Sequence, residues 1–287
     1  MKSKIKVVAI QMEVIPLEKN KNIKKALSLM KDSIESYEEI DLFVLPEDFI
    51  TGPIPYHLKE YCLDEDSEEV SIFRDFSKKY NCYVVLGSFI KKVGSSFYNT
   101  TLVMDRHGKT ILEHRKTRLS YGERAHIIAG DFATEVIKTD IGVIGILNCW
   151  EIADPTAARR LMALGADIIC SPSYWNGDPI TTRIASNFGK NPGIEFINAI
   201  LPARAMECEA LVVYANIAGK ARFHLKTKVW EDSALGQSQI CAPIVGLIDR
   251  IDDTNKEGFV YCEFDRSILK RAEDYYSLRR DQEIWGT

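Results

Sequence analysis

No run of apolar residues in the 287-residue sequence is long enough to cross a bilayer. The apolar stretch at the N-terminus, Val7-Val8-Ala9-Ile10, stops at Gln11, too early for a signal peptide, so a cytoplasmic protein with no membrane partner is expected. A strongly basic stretch is also missing. The 37 Lys and Arg and 41 Asp and Glu are well mixed, giving a formal net charge of −4, and nucleic acid is not an expected partner. Neither a C-x-x-C nor an H-x-x-x-H pair occurs, so nothing supports a structural zinc site, and no metal or cofactor is expected. The seven cysteines are scattered from Cys62 to Cys262, an odd count that argues against a disulfide framework. Cys82, Cys170 and Cys262 lie in apolar surroundings and read as small buried hydrophobes. Linkers rich in Gly, Ser or Pro, internal repeats and low-complexity segments are likewise absent, and a single domain spanning residues 1–287 is expected.

Short β-rich runs are plentiful. Val7–Met12, Leu42–Leu45, Tyr83–Ile90, Thr101–Met104, Val143–Leu147, Ile168–Cys170, Leu211–Tyr214 and Phe259–Phe264 all read as strands. Helical stripes fall between several of them: Ile23, Ala26, Leu27, Met30 and Ile34, then Val70, Phe73, Phe76 and Tyr80. Asp154-Pro155 has the form of an N-cap followed by proline at the first helical position, opening a helix that ends near Gly165. Residues 194–210 read as helical, with Pro202 expected to start, kink or split the helix. Strands interleaved with helices predict an α/β layered fold. The acidic stretch Asp64–Glu69 reads as a solvated helix entry.

Three motif-like segments carry no function. Gly108-Lys109-Thr110 ends like a phosphate-binding loop, but Val103 stands at the first glycine position and Asp105-Arg106-His107 makes the segment a hairpin turn. Gly142 and Gly145 lie inside a strand and match no dinucleotide fingerprint. Asn99-Thr100-Thr101 is a glycosylation sequon without a secretory route, and it is assigned no role.

Chemistry gathers where three apolar strands end: Leu42–Pro46 leads to Glu47, Ile111–Arg115 to Lys116, and Val143–Asn148 to Cys149. Singly, each has a plain alternative as a surface carboxylate, a solvated cation or a buried thiol. Together they supply a base, a cation and a nucleophile, the inventory that acyl transfer needs. A histidine-assisted thiol protease is the rival within enzymes, with His57, His107, His114, His126 and His224 as candidates, none in a supporting motif.

On these residues the sequence resembles the nitrilase, or carbon–nitrogen hydrolase, superfamily. The likeness runs from Val7 to Asp265 through Leu45-Pro46-Glu47, Arg115-Lys116 with Leu119, Glu123 and Gly130, and Gly145 to Glu151. Pro155, Arg159, Gly165-Ala166, Pro172, Trp175, Arg204 to Glu207, Ala215-Asn216 and Gly236 to Ile240 then follow in order. The resemblance implies a four-layer α-β-β-α sandwich, catalytic residues Glu47, Lys116 and Cys149 with Glu123 as a second glutamate, and hydrolysis of a non-peptide carbon–nitrogen bond through a cysteine thioester. A linear amide is the first expectation for the small-molecule substrate. A nitrile is second, because Cys149-Trp150-Glu151 resembles the nitrile-hydrolysing branch. A degenerate member that only binds a metabolite is the non-enzymatic alternative. Trp150, Glu151 and Trp175 are the candidate substrate-binding residues, and the loop from Thr51 to Cys62 is expected over the entrance. The resemblance also implies a homodimer or higher homo-oligomer, pairing through Thr156–Leu164 and residues 194–210. Two departures, Asp154-Pro155-Thr156 for Phe-Pro-Glu and Cys208 for Asn, leave Glu47, Lys116 and Cys149 untouched.

Overall fold

The computed structural model describes residues 2–53, 58–131, 136–177, 183–185, 187–188, 191–224 and 229–285. In chain order the elements are β1 (Lys4–Glu13), α1 (Lys19–Tyr37), β2 (Leu42–Val44), α2 (Leu58–Tyr61), α3 (Glu68–Tyr80), β3 (Tyr83–Val93), β4 (Ser96–Met104) and β5 (Thr110–Arg115). Next come β6 (Val136–Thr139), β7 (Gly142–Ile146), α4 (Pro155–Ala163), β8 (Ile168–Pro172), α5 (Pro192–Cys208), β9 (Leu211–Ala215) and β10 (Ile217–Ala218). The chain closes with β11 (Lys220–His224), β12 (Val229–Ser233), β13 (Gln239–Ala242), β14 (Gly246–Arg250), β15 (Gly258–Asp265), α6 (Ser267–Tyr276) and α7 (Leu278–Trp285).

Two sheets form. One runs β10-β1-β2-β3-β4-β5 with β15 also paired to β1, and the other runs β14-β13-β9-β8-β7-β6. At the centre of each lie three parallel strands: β1, β2 and β3 register Val7 with Leu42 and Leu42 with Tyr83, while β7, β8 and β9 register Ile144 with Ile168 and Ile168 with Leu211. Parallel strands are covered on both faces, and these are apolar almost throughout.

The two-residue period of a strand sorts their side chains into separate layers. From β1, Ile5, Val7 and Ala9 join Ile144, Ile146, Ile168, Cys170 and Val213 in a core between the sheets. The alternate residues Val8, Ile10 and Met12 face the stripes of α1 and α3, where Ala26, Met30, Val70 and Phe73 lie. On the far side Ile169, Val212 and Tyr214 meet Ala158, Leu161, Ile197 and Leu201 of α4 and α5. The result is the four-layer α-β-β-α sandwich.

Most expected elements are present. Asp154 accepts from the Thr156 N–H at 2.8 Å with Pro155 just inside α4. The Asp105–Lys109 turn joins β4 to β5 as a hairpin, with Gly108 at φ 77°. Cys82, Cys170 and Cys262 are buried, and burial pushes the Cys82 thiol up to about 12 and that of Cys262 up to about 11. Pro202 neither starts nor splits its helix, because α5 runs unbroken from Pro192. The packing of Ile197, Ile200, Leu201 and Ala205 holds the helix through the missing N–H. No helix among the described residues is long and apolar enough to cross a membrane.

Candidate active site

Glu47, Lys116 and Cys149 meet where β2, β5 and β7 end, all three buried. Backbone contacts fix the first two. Gly87 of β3 passes so close beneath the Glu47 segment that a Cβ there would lie 2.0 Å from the Pro46 carbonyl oxygen, so only glycine fits. Gly130 lies equally tight on Arg115, with a Cβ falling 2.4 Å from its carbonyl oxygen, and its N–H donates to the Lys116 carbonyl at 2.9 Å. Cys149 leaves β7 at a sharp turn and opens a 3₁₀ turn, Cys149–Ala153, with φ of 52° in the left-handed region. A cysteine held there carries local strain, a feature that clusters at functional positions. Arg204 of α5 braces this turn, donating through Nε to the Ile152 carbonyl at 3.0 Å and through Nη2 to that of Ala153 at 3.2 Å.

The Lys116 ammonium donates to Glu47 Oε1 and to Glu123 Oε2, each at 2.8 Å. Asn99 ties the same carboxylates together, its Nδ2 donating to Glu47 Oε1 at 2.9 Å and Glu123 Oε1 at 2.7 Å. Asn148 Nδ2 donates in turn to Asn99 Oδ1 at 3.0 Å, which links the network to the residue before Cys149. Glu47 Oε2 accepts from the Tyr174 N–H at 2.9 Å, and Glu123 Oε2 from the Ser120 N–H at 2.7 Å.

Burial alone would push the Lys116 ammonium down, but the facing charges of Glu47 and Glu123 outweigh it and hold its pKa well above the ordinary lysine value. Burial likewise works to raise Glu123, yet Lys116 keeps it below the usual carboxylate range. Cys149 goes the other way. Burial raises its thiol well above the ordinary value, Glu47 adds to this, and Lys116 only partly opposes it. Burial thus favours the thiol form of Cys149, which hydrogen-bonds Glu47. Asp48 is raised well above the carboxylate range by burial and by the neighbouring Glu47 and Glu123 charges.

Trp150 is 43% exposed, and its ring lies 5.5 Å from that of Trp175, which continues to Phe196 at 5.9 Å. Trp150 also lines a cavity of about 240 Å³ with Thr117, Arg118, Leu119, Arg124 and Ala129. Glu151, expected beside the substrate, has both carboxylate oxygens engaged by protein donors and is 1% exposed. Oε1 accepts from the N–H and the hydroxyl of Thr117, each at 2.7 Å; Oε2 accepts from the Asn148 N–H at 2.7 Å and lies 2.7 Å from His114 Nε2. The 3₁₀ turn points this side chain back toward its own N-terminus. Of the loop expected over the entrance, residues 54–57, including His57, lie outside the described residues. Asn99 and Asn148 are the site residues that sequence reasoning missed, and His114, a candidate only for the thiol-protease reading, faces Glu151 instead. Among the described residues, no cluster of His, Cys, Asp and Glu is arranged to hold a metal ion.

The profile of the carbon–nitrogen hydrolase family matches residues 6–273, and the chain belongs to that family. It is an enzyme of carbon–nitrogen bond hydrolysis, with nitrilases and amidases among its relatives. It is 27% identical to a nitrilase of Pyrococcus abyssi over 97% of both chains. It is also 27% identical to the deaminated glutathione amidase of Dictyostelium discoideum, over 86% of this chain and 84% of that one. The crystal structure of a carbon–nitrogen hydrolase from Helicobacter pylori shares the fold with a TM-score of 0.81 at 19% identity, covering 99% of this chain and 97% of that one.

Proposed function

We propose that the chain, as one domain of residues 1–287, hydrolyses a linear amide through a thioester on Cys149 and releases ammonia or an amine. The observation that carries this reading is the Glu47–Lys116–Glu123 chain, closed at 2.8 Å per contact, beside a buried thiol that hydrogen-bonds Glu47. Glu47 takes the thiol proton as sulfur attacks the carbonyl carbon. The carbon–oxygen π pair moves onto oxygen, where the Lys116 ammonium and the Trp150 backbone N–H stabilise it. Collapse expels the nitrogen, which leaves with the proton from Glu47. Glu47 then deprotonates the water that attacks the thioester, and the sulfur departs with that proton. Glu123 holds Lys116 in line with both steps. Trp150 and Trp175, extended by Phe196, form the aromatic wall of the substrate site.

The likeness to an archaeal nitrilase favours a second reading, a nitrile attacked to give a thioimidate. The same thiol, base and cation serve both. Ammonia release from short aliphatic amides and from the matching nitriles separates them: the amide is expected to turn over faster, and a nitrile consumed faster than its own amide would reverse the order.

We also infer self-association through α4 and α5. These helices pack side by side, and Leu164, which follows the last turn of α4, is left exposed. Sedimentation at micromolar concentration should show a dimer or a larger assembly, and a monomer would contradict this.

A further inference from the structure

Glu151 sits two residues after the nucleophile, yet it is enclosed by protein. Its oxygens divide between two strand ends. Oε1 takes both donors of Thr117, the residue after Lys116, each at 2.7 Å. Oε2 takes the N–H of Asn148, the residue before Cys149, also at 2.7 Å. His114, two residues before Lys116 and itself buried, completes the shell with Nε2 at 2.7 Å from Oε2. One carboxylate thus bonds the backbone on either side of the gap between cation and nucleophile.

We propose that Glu151, oriented by His114, is the positioning residue that sets the separation of the Lys116 ammonium from the Cys149 sulfur, and that it makes no contact with substrate. The inference rests on the cysteine reading given above. Its logic is geometric. Cys149 is held at φ 52°, and the N–H bond from Asn148 to Glu151 is one of the contacts that hold the turn in that conformation. Loosening it lets the sulfur drift from the Glu47–Lys116 pair, and a displacement of about 1 Å costs on the order of 10²-fold in rate. Burial works to raise the Glu151 carboxyl, but His114 beside it and the bonds from Thr117 pull it down to about 2. The carboxylate therefore stays an acceptor on both oxygens above that value. His114 is a titratable group that faces it; the Arg118 backbone N–H lies 3.4 Å from Oε1, and the Arg118 guanidinium bonds Asp154.

The test is steady-state kinetics of Glu151→Gln, His114→Phe and His114→Gln, with Cys149→Ala run in parallel. Gln keeps the volume of Glu151 but turns one acceptor into a donor, so kcat should fall on the order of 10²-fold while KM stays within about threefold. His114→Phe removes the group that lowers Glu151, so its carboxyl rises and kcat should fall off at mildly acidic pH where the native enzyme holds steady. His114→Gln, which restores a donor, should recover most of kcat. Native kcat in Glu151→Gln, or a raised KM with kcat unchanged, would overturn the positioning role, and with Cys149→Ala inactive the nucleophile reading would stand. Turnover by Cys149→Ala would overturn both. If Glu151→Gln does not fold, Thr117→Val decides: loss of the hydroxyl bond alone should lower kcat about three- to tenfold at native KM, and an unchanged kcat would refute the proposal.

Discussion

Cys149→Ala is expected to abolish turnover while leaving the protein folded. Without the sulfur there is no covalent intermediate, and loss of a nucleophile from an intact site typically costs on the order of 10⁴-fold or more. Residual catalysis would come only from the Lys116 charge and substrate binding. The fold should tolerate the change. Alanine at φ 52° meets the same backbone strain as cysteine, and the lost volume is one sulfur atom, so the stability change should be on the order of 1 kcal/mol. The matching checks are an ammonia assay and a thermal melt on one preparation. A melt near that of the native protein with no ammonia released is the expected pair of results; native turnover would end the account.

The second large effect falls on Lys116 and Glu47. Lys116→Met should lower kcat about 10²- to 10³-fold through loss of the oxyanion partner. It should also cost about 3–5 kcal/mol of stability, because Glu47 and Glu123 then face each other in a buried site without their shared cation. With that charge gone the Glu123 carboxyl rises from its lowered native position. Glu47→Gln separates chemistry from folding. The amide oxygen can still accept from Lys116 and Asn99, while the NH₂ turns toward the Tyr174 N–H, a mild mismatch. The base is lost, so both attack and thioester hydrolysis should slow by about 10²- to 10⁴-fold. A Glu47→Gln enzyme with native kcat would show that another group takes the thiol proton.

Much of this was legible in the sequence, and the parts that were not share a cause. The parallel strands and the stripes of α1 and α3 announce themselves because both faces of those strands and one face of those helices are apolar. β12 and β14 carry charged or half-exposed residues, so no alternation marks them as strands. Glu47, Lys116 and Cys149 were readable because each ends an apolar strand within its own motif. Asn99 was not, since its role exists only once β4 lies beside β5 and its amide reaches two glutamates 52 and 24 residues away in sequence. Glu151 shows the opposite difficulty. Its closeness to Cys149 in sequence suggested a shared pocket, but a 3₁₀ turn sends adjacent side chains in different directions, Trp150 outward and Glu151 inward. Spacing locates a residue; only the turn geometry says what it faces.

The central claim, a covalent acyl-enzyme on Cys149 that needs Glu47 for its release, is tested most directly by intact-protein mass spectrometry of Glu47→Gln after incubation with a panel of short amides. The account predicts a mass increase equal to the acyl portion of a turned-over amide, located on the peptide that contains Cys149 and missing when Cys149 is also alanine. An adduct elsewhere on the chain, or native turnover by the alanine variant, would contradict it.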